Sequence, residues 1–218
     1  YAHGWLLFEQ DKMSKSRGNV VRPRPIVQVM GIEPLRYFLL REIVFGQDGS
    51  FSYDALVQRY NSDLANGLGN LSSRTLTMIE RYFGGVVPTP SREERGPCDG
   101  SVGAAVQSAI SEVPNLYEQF AFSRALETTW GVVAEVDRYL VREQPWVLAE
   151  NPAERERMAT VLYMAAEALR IVAALAHPVL PAATQRIWEQ LGQTDRLDDV
   201  RLDQLAWAQL RPGTRIGR

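Results

Sequence analysis

Two lysines three residues apart mark the segment of this sequence most suited to chemistry. Residues 12–16 read Lys-Met-Ser-Lys-Ser, and Arg17, Gly18 and Asn19 follow. Small hydroxyl residues between two ammonium groups, with a glycine behind them, suit a mobile loop that closes over a triphosphate. When a nucleotide's α-phosphate is attacked, negative charge builds on the departing pyrophosphate, and a positioned lysine stabilises that charge through charge-assisted hydrogen bonds. By composition alone such a stretch is more often a solvated loop. The prediction of a phosphate-binding loop therefore rests on the order of the residues.

A second set of polar residues recurs at helical spacing. Asn66, Asn70 and Arg74 stand four residues apart, so they share one face of a helix, beside its apolar positions. Further along, Pro145 and Trp146 follow a predicted helix. Amide and guanidinium groups can bond to the Watson–Crick edges of unpaired bases, and an indole can stack on them. Taken singly, these residues are more often solvated groups or core packing.

Most of the secondary structure that the sequence predicts around these residues is helical. Apolar residues recur at alternating spacings of four and three over residues 64–82, 122–140 and 158–176. Three such stripes predict antiparallel helices around a shared core. Asn151, followed by a proline, predicts the start of the third helix, and Pro181 predicts the start of another.

The first fifty residues have a different character. Residues 1–8 are aromatic and apolar, which predicts a strand or hairpin edge leading into the lysine loop. Pro23 and Pro25 are expected to discourage a helix before Ile26. A short helix is predicted over residues 35–44 and a brief strand over 50–52. The fold class is therefore mainly α, an antiparallel helical bundle preceded by a small α/β segment.

Composition limits the classes of function. The chain has 218 residues, 45% of them hydrophobic, and a net charge of −2, which does not indicate nucleic-acid binding driven mainly by counterion release. The single cysteine, Cys98, excludes an intrachain disulfide or a cysteine-based zinc site in this sequence. No apolar run is expected to span a membrane, and a cytoplasmic location fits. The start at Tyr1, so close to the lysine loop, predicts a piece of a larger protein.

Taken in order, the motifs resemble methionyl-tRNA synthetase, a class I aminoacyl-tRNA synthetase. Residues 12–16 match the KMSKS signature, which sister enzymes for leucine, valine, isoleucine and cysteine share. The Phe-Gly-Gln-Asp-Gly stretch at 45–49 and the Asn-Leu-x-x-Arg stretch at 70–74 favour methionine. The other matching segments cover essentially the whole chain and are His3-Gly4, residues 18–21, 35–41 and 60–66, and Pro145-Trp146.

The resemblance implies ATP-dependent activation of methionine and its transfer to tRNA. Lys12, Ser14, Lys15 and Ser16 would bind ATP, which enters with Mg²⁺ in the full-length enzyme. Lys12 and Lys15 would be the catalytic residues, with Lys15 stabilising the transition state, and Gly18 would let the loop move. No metal site is predicted within this chain. The family's HIGH-type motif and methionine pocket do not occur in the sequence, so the chain alone is expected to be inactive.

The resemblance also implies that the helical part reads a CAU anticodon. The residues matching Asn70 and Arg74 read the bases, and those matching Pro145 and Trp146 form the stacking platform, with Asn66 a possible addition. Two positions depart from many relatives, because an aspartate, Asp137, replaces an expected asparagine and a glutamate, Glu150, an expected lysine.

The predicted organisation has two parts. Residues 1–52 would hold the end of the catalytic region and a connecting element, and residues 53–218 the anticodon-binding domain. The predicted partners are methionine tRNA, ATP and methionine, without a protein partner or a membrane. Three alternatives stay open: a sister synthetase, a non-catalytic helical tRNA-binding module, and a structural bundle with a chance signature.

Overall fold

A small three-stranded sheet opens the structure. The computed structural model describes residues 3–91 and 100–217. The first strand pairs antiparallel with the second and parallel with the third, and two helices fill the crossover. These elements are β1 (Leu6–Phe8), β2 (Asp11–Lys12), α1 (Pro23–Met30), α2 (Ile32–Glu42) and β3 (Gly49–Phe51). The predicted hairpin edge leading into the lysine loop and the short α/β segment are confirmed.

The expectation that Pro23 and Pro25 discourage a helix before Ile26 is wrong. α1 begins at Pro23 itself. In the first helical turn the backbone N–H groups have no intrahelical acceptor, so the missing N–H of proline costs nothing there, and its φ is already helical. Ile26 is then free to face the core, where it is buried.

A bundle of helices forms the rest of the structure, as predicted. Its elements are α3 (Tyr53–Arg59), a π-helix (Tyr60–Gly69), α4 (Asn70–Phe83), α5 (Ser101–Glu118), α6 (Phe122–Glu143), α7 (Pro145–Leu148), α8 (Arg155–Ala176) and α9 (Pro181–Gln190). Three short 3₁₀ turns accompany them, Pro152–Glu154, Leu197–Asp199 and Leu202–Gln204. α5 is not among the stripes that the sequence indicates, and the stripe predicted over residues 64–82 begins inside the π-helix.

Local signals explain where several helices begin. The Ser52 hydroxyl accepts a hydrogen bond from the Ala55 N–H at 3.1 Å, which caps α3. The Asn151 side chain accepts from the Ala153 N–H at 3.1 Å and starts the 3₁₀ turn before α8. Gln144, with φ 46° and ψ 59°, ends α6 in the left-handed region. The helix starts predicted at Asn151 and Pro181 are therefore confirmed.

α8 is the central helix, and its burial goes beyond a single stripe. Every residue from Met158 to Ala176 is buried, including Glu167 and Arg170. By length and composition the stretch Pro152–Ala176 could cross a bilayer, contrary to the expectation that no run would. Its most apolar window is wholly buried inside the bundle, as in the core helix of a globular protein.

The α/β segment packs on the bundle through polar contacts. The Glu33 carboxylate accepts hydrogen bonds from the backbone N–H groups of Ala182 and Ala183 at the start of α9. Arg36 donates to the Pro178 carbonyl at 2.9 Å. A smaller apolar cluster on this side includes Leu56 of α3. The division into residues 1–52 and 53–218 stays a prediction.

Candidate functional site

The lysine loop is folded by its own side chains. The Asn19 carboxamide accepts from the Ser14 N–H at 2.8 Å and donates to the Lys12 carbonyl at 3.2 Å. The Ser14 and Ser16 hydroxyls lie 2.7 Å apart, so one donates to the other. Gly18 has φ +71°, a conformation that favours glycine. Asn19, which sequence reasoning did not single out, therefore closes the loop.

The two lysines of the loop have different surroundings. The Lys12 Nζ lies 4.8 Å from the ring centroid of Trp5, a cation–π contact that the sequence did not indicate. Lys15 lies in the turn that follows, is exposed, and forms no ion pair within residues 3–91 and 100–217. The loop thus presents Lys15 to solvent and keeps Lys12 against an indole.

Arg74, Asp137 and Trp146 come together from three different helices. The Arg74 Nη1 lies 3.3 Å from the Asp137 Oδ1, and the Arg74 Cζ lies 5.9 Å from the Trp146 ring centroid. Partial burial raises the pKa of Asp137, while the charge of Arg74 acts in the opposite direction. This triad, as we call these three residues, places a guanidinium between a carboxylate and an indole.

Pro145 sets the position of Trp146. It follows the left-handed Gln144, stands first in α7 and is buried. Trp146, the next residue, remains 38% exposed. The proline therefore anchors the turn, and the indole presents the surface on which a base can stack.

The two asparagines lie on either side of a change in helix type. Asn66 belongs to the π-helix and Asn70 begins α4; both are exposed. Asn70 and Arg74 are one turn apart on α4 and share a face. The sequence predicts a single helical face shared by Asn66, Asn70 and Arg74. The structure differs at Asn66, because the hydrogen bonds of the π-helix span five residues and shift this residue relative to α4.

Asp63 is a positioning residue that sequence reasoning missed. Its carboxylate accepts hydrogen bonds from the Tyr37 hydroxyl at 2.7 Å and from Arg59 at 3.2 Å, and its backbone carbonyl accepts one from the Trp130 indole at 2.9 Å. Burial, supported by the bond to Asp63, raises the pKa of Tyr37 and keeps it a donor. Asp63 thereby connects the π-helix to α2, α3 and α6.

The described residues 3–91 and 100–217 contain no group of three His, Cys, Asp or Glu side chains arranged to hold a metal. Cys98 lies outside the residues that the structure describes. The candidate site consists of two parts, the lysine loop and the triad with Asn70.

Two family models match consecutive parts of the chain. Residues 1–76 match the model described as "tRNA synthetases class I (M)". Residues 102–206 match the model described as "Anticodon-binding domain of tRNA ligase". The first match contains the lysine loop, Asn70 and Arg74, and the second contains Asp137 and Trp146.

Two methionine–tRNA ligases are similar to this chain over nearly its whole length. The methionine–tRNA ligase of Caldanaerobacter subterraneus subsp. tengcongensis is 45% identical over 218 residues, which is 100% of this chain and 34% of that protein. The methionine–tRNA ligase of Mycobacterium leprae is 41% identical over 98% of this chain and 39% of its own length.

A solved structure agrees with these relatives. The crystal structure of Mycobacterium tuberculosis methionyl-tRNA synthetase bound by methionyl-adenylate matches with a TM-score of 0.88 and 38% identity, over 99% of this chain and 42% of that one. The chain thus spans less than half the length of the proteins it matches. The two family models, the relatives and the solved structure together support the methionyl-tRNA synthetase family for this chain.

Proposed function

We propose that this chain is part of a methionine–tRNA ligase, to which it supplies the phosphate-stabilising loop and the reader of a CAU anticodon. The whole protein would activate methionine with ATP and transfer it to methionine tRNA, in the cytoplasm. The observation that carries the anticodon part is the triad, in which an exposed indole and a guanidinium lie 5.9 Å apart. The relatives named as methionine–tRNA ligases support the amino acid.

In the proposed reaction Lys15 stabilises the charge that develops on pyrophosphate, and Lys12 binds the ATP phosphates. The exposure of Lys15 supports this assignment, because a free ammonium can reach a ligand without breaking an ion pair. Ser14 and Ser16 shape the loop through their mutual hydrogen bond. Mg²⁺ enters with ATP. The methionine pocket would come from the part of the enzyme upstream of this chain.

In the proposed recognition step an anticodon base leaves its stack and lies on Trp146, which Pro145 anchors. Stacking on an aromatic ring is worth about 1–3 kcal/mol per base by alanine substitution. Arg74 and Asn70 present hydrogen-bond donors on one face of α4, and Asn66 would extend that face. Single-stranded bases can offer their Watson–Crick edges to such donors.

The experiment that tests this proposal is binding of the purified chain to methionine tRNA carrying CAU and to the same tRNA with single-base changes in the anticodon. All measurements share one salt concentration, because phosphate contacts make RNA affinity depend steeply on salt. A preference of about tenfold or more for CAU is expected, since one mismatched base typically costs about 1–3 kcal/mol in nucleic-acid recognition. Equal binding to all anticodons would contradict the proposal and favour generic RNA attraction.

A further inference from the structure

Asn19 connects the two ends of the lysine loop through one carboxamide. Its Oδ1 accepts a hydrogen bond from the Ser14 N–H at 2.8 Å, and its Nδ2 donates to the Lys12 carbonyl at 3.2 Å. The bond to Ser14 encloses residues 15–18, which therefore have fewer conformations open to them than the residues of a free loop. One side chain thus fixes the turn relative to the strand before it.

The backbone inside this closure forms two overlapping turns. The Arg17 N–H donates to the Ser14 carbonyl at 3.2 Å. The Gly18 N–H donates to the Lys15 carbonyl at 3.3 Å. Gly18 has φ +71°, and a Cβ added there would meet no other atom within 4 Å, so the position requires the backbone conformation that glycine favours and not the space. This conformation returns the chain to the start of the loop, where Asn19 bonds.

The two lysines lie in different parts of this arrangement. Lys12 is on β2, where it pairs with Leu7 and its ammonium contacts Trp5. Lys15 is exposed, and it lies on the turn that the bond between Asn19 and Ser14 encloses. They are the only lysines in a sequence with 24 lysine and arginine residues. Because an ammonium is a compact point charge on a flexible stem, the place of its backbone decides which atoms it can reach.

We propose that Asn19 is a positioning residue for the phosphate step, which holds Lys15 at a fixed place relative to Lys12 while charge develops on pyrophosphate. This inference rests on the proposed function and deepens it. Asn19 acts through Lys15 and does not touch the nucleotide. A charge that is already in place when the reaction occurs stabilises the transition state without a further cost of ordering.

A simpler role for Asn19 is to stabilise the α/β segment as a whole. The two roles differ in the kinetic constant that they affect. A residue that places Lys15 for the transition state lowers kcat and leaves the KM for ATP nearly unchanged. Its effect also disappears once the Lys15 ammonium is removed, whereas a loss of general stability would remain.

The test is a double-mutant cycle in a protein that includes the upstream part of the enzyme. ATP–pyrophosphate exchange gives kcat and the KM for ATP of the wild type, Asn19→Ala, Lys15→Ala and the double variant. Asn19→Ala should lower kcat about tenfold and change the KM for ATP less than about twofold, because the turn is released while Lys12 stays on its strand. In the Lys15→Ala background the same change should lower kcat less than about twofold.

Ser52→Ala is the matched control for the loss of a hydrogen bond. It removes a side-chain acceptor that lies 3.1 Å from a backbone nitrogen, at the start of α3 and outside the loop. It should reduce stability as the loss of a helix cap does, but keep kcat within about twofold of the wild type.

Gly18→Ala is a second variant that acts on the same turn. It keeps every side chain that bonds within the loop and disfavours the positive φ on which the turn depends. It should lower kcat as Asn19→Ala does. The two changes together should cost little more than either one, because both release the same turn.

NMR spectra of the chain itself show whether the variant stays folded. The Ser14 amide proton should exchange faster with solvent in Asn19→Ala, because its acceptor is gone. The methylene signals of Lys12 should keep the ring-current shift that Trp5 causes, which shows that β2 is intact. With two lysines in the sequence these signals are readily assigned.

The outcomes separate this inference from the proposed function. An equal loss of kcat on Asn19→Ala in both backgrounds, an effect confined to the KM for ATP, or a wild-type kcat would overturn this inference alone. Adenylate formation at the wild-type rate in Lys15→Ala would overturn the proposed role of the loop, and this inference with it.

Discussion

Trp146 stays at the surface because the two residues before it turn the chain. Gln144 leaves α6 with a positive φ of 46°, and the buried Pro145 starts a new helix in another direction. An indole in the middle of α6 would instead have faced either the core or open solvent. At this corner it lies beside Arg74, within the range of a cation–π contact.

Trp146→Ala should weaken binding of the chain to a CAU stem-loop about ten- to hundredfold, because the stacking surface is lost. The helical circular dichroism should not change, since the side chain is not part of the buried core. The neighbouring Val147→Ala, which removes exposed apolar surface but no ring, is the control and should change the affinity less than about twofold. Loss of helical signal in Trp146→Ala would show that the indole is a core residue.

Lys15→Ala should act on chemistry and leave binding of tRNA almost unchanged. In a protein that includes the upstream part of the enzyme, adenylate formation should slow about 10²–10³-fold, the usual cost of removing one donor to a developing anion. Arg17→Ala removes a nearby exposed cation and serves as the control, because a general electrostatic effect would appear in both variants. Equal losses in adenylate formation and tRNA affinity would contradict the assigned role.

At the scale of single elements, the π-helix decides how α4 presents its reading face. Its own residue Asp63 connects it to α2, because the Asp63 carboxylate accepts a hydrogen bond from the buried Tyr37 hydroxyl. A π-helix is rare, and where it occurs it frequently lies at a functional site. The reading face therefore depends on contacts made several turns away from Arg74.

Asp63→Ala should lower the free energy of unfolding by about 1–3 kcal/mol, because the Tyr37 hydroxyl would remain buried without an acceptor. In a Tyr37→Phe background the same change should cost clearly less, since the orphaned donor is absent. Urea denaturation of the wild type, both single variants and the double variant measures this coupling. Additive effects would show that the hydrogen bond does not stabilise the π-helix.

The central helix carries the deepest charged pair in the described structure. On α8, Arg170 donates to Glu167 at 2.7 and 2.8 Å, and both side chains are buried. Glu167 also accepts from the backbone N–H groups of Gln209 and Leu210, and Arg170 donates to the Ala206 carbonyl. The pair thus fastens the segment 206–210 to the core.

Glu167→Gln should lower the free energy of unfolding by about 3–5 kcal/mol, because it leaves the charge of Arg170 buried without a counter-ion. Glu156→Gln, at the exposed start of the same helix, should cost no more than about 1 kcal/mol. The midpoints of urea denaturation at constant m compare the two variants. Similar midpoints would mean that solvent reaches the pair.

At the scale of the whole molecule, polar contacts connect the α/β segment to the bundle. Glu33 of α2 caps the N-terminus of α9, nearly 150 residues later in the chain. Arg36 and Arg41 add contacts to the Pro178 carbonyl and to Ser123. These contacts fix the position of the α/β segment, which carries the lysine loop, relative to the helical bundle, which carries the triad.

Glu33→Ala should lower the free energy of unfolding by about 0.5–2 kcal/mol, the usual value of an N-terminal cap. Hydrogen exchange should become faster in both α2 and α9, because each loses its link to the other. Glu118→Ala, at an exposed position with no hydrogen bond to its side chain among the described residues, should stay within about 0.5 kcal/mol of the wild type. Faster exchange in α9 alone would show that the two parts open independently.

Features that arise from neighbouring residues could be predicted before the fold was known. The order Lys-Met-Ser-Lys-Ser, the stripes over 64–82, 122–140 and 158–176, and the start signals at Asn151 and Pro181 are all local, because capping and amphipathic spacing act within a few turns. These features predicted the mainly helical fold, and together with the other matching segments they carried the family resemblance that named Asn70, Arg74 and Trp146.

Features that depend on distant residues are visible only in the folded chain. Arg74 and Asp137 are 63 residues apart in the chain, and Asp63 meets Trp130 across 67. The burial of α8 on every side and the conversion of residues 60–69 into a π-helix likewise come from packing against neighbours. The spacing of apolar residues does not show which helices are neighbours, because that depends on how the side-chain surfaces of two helices pack together.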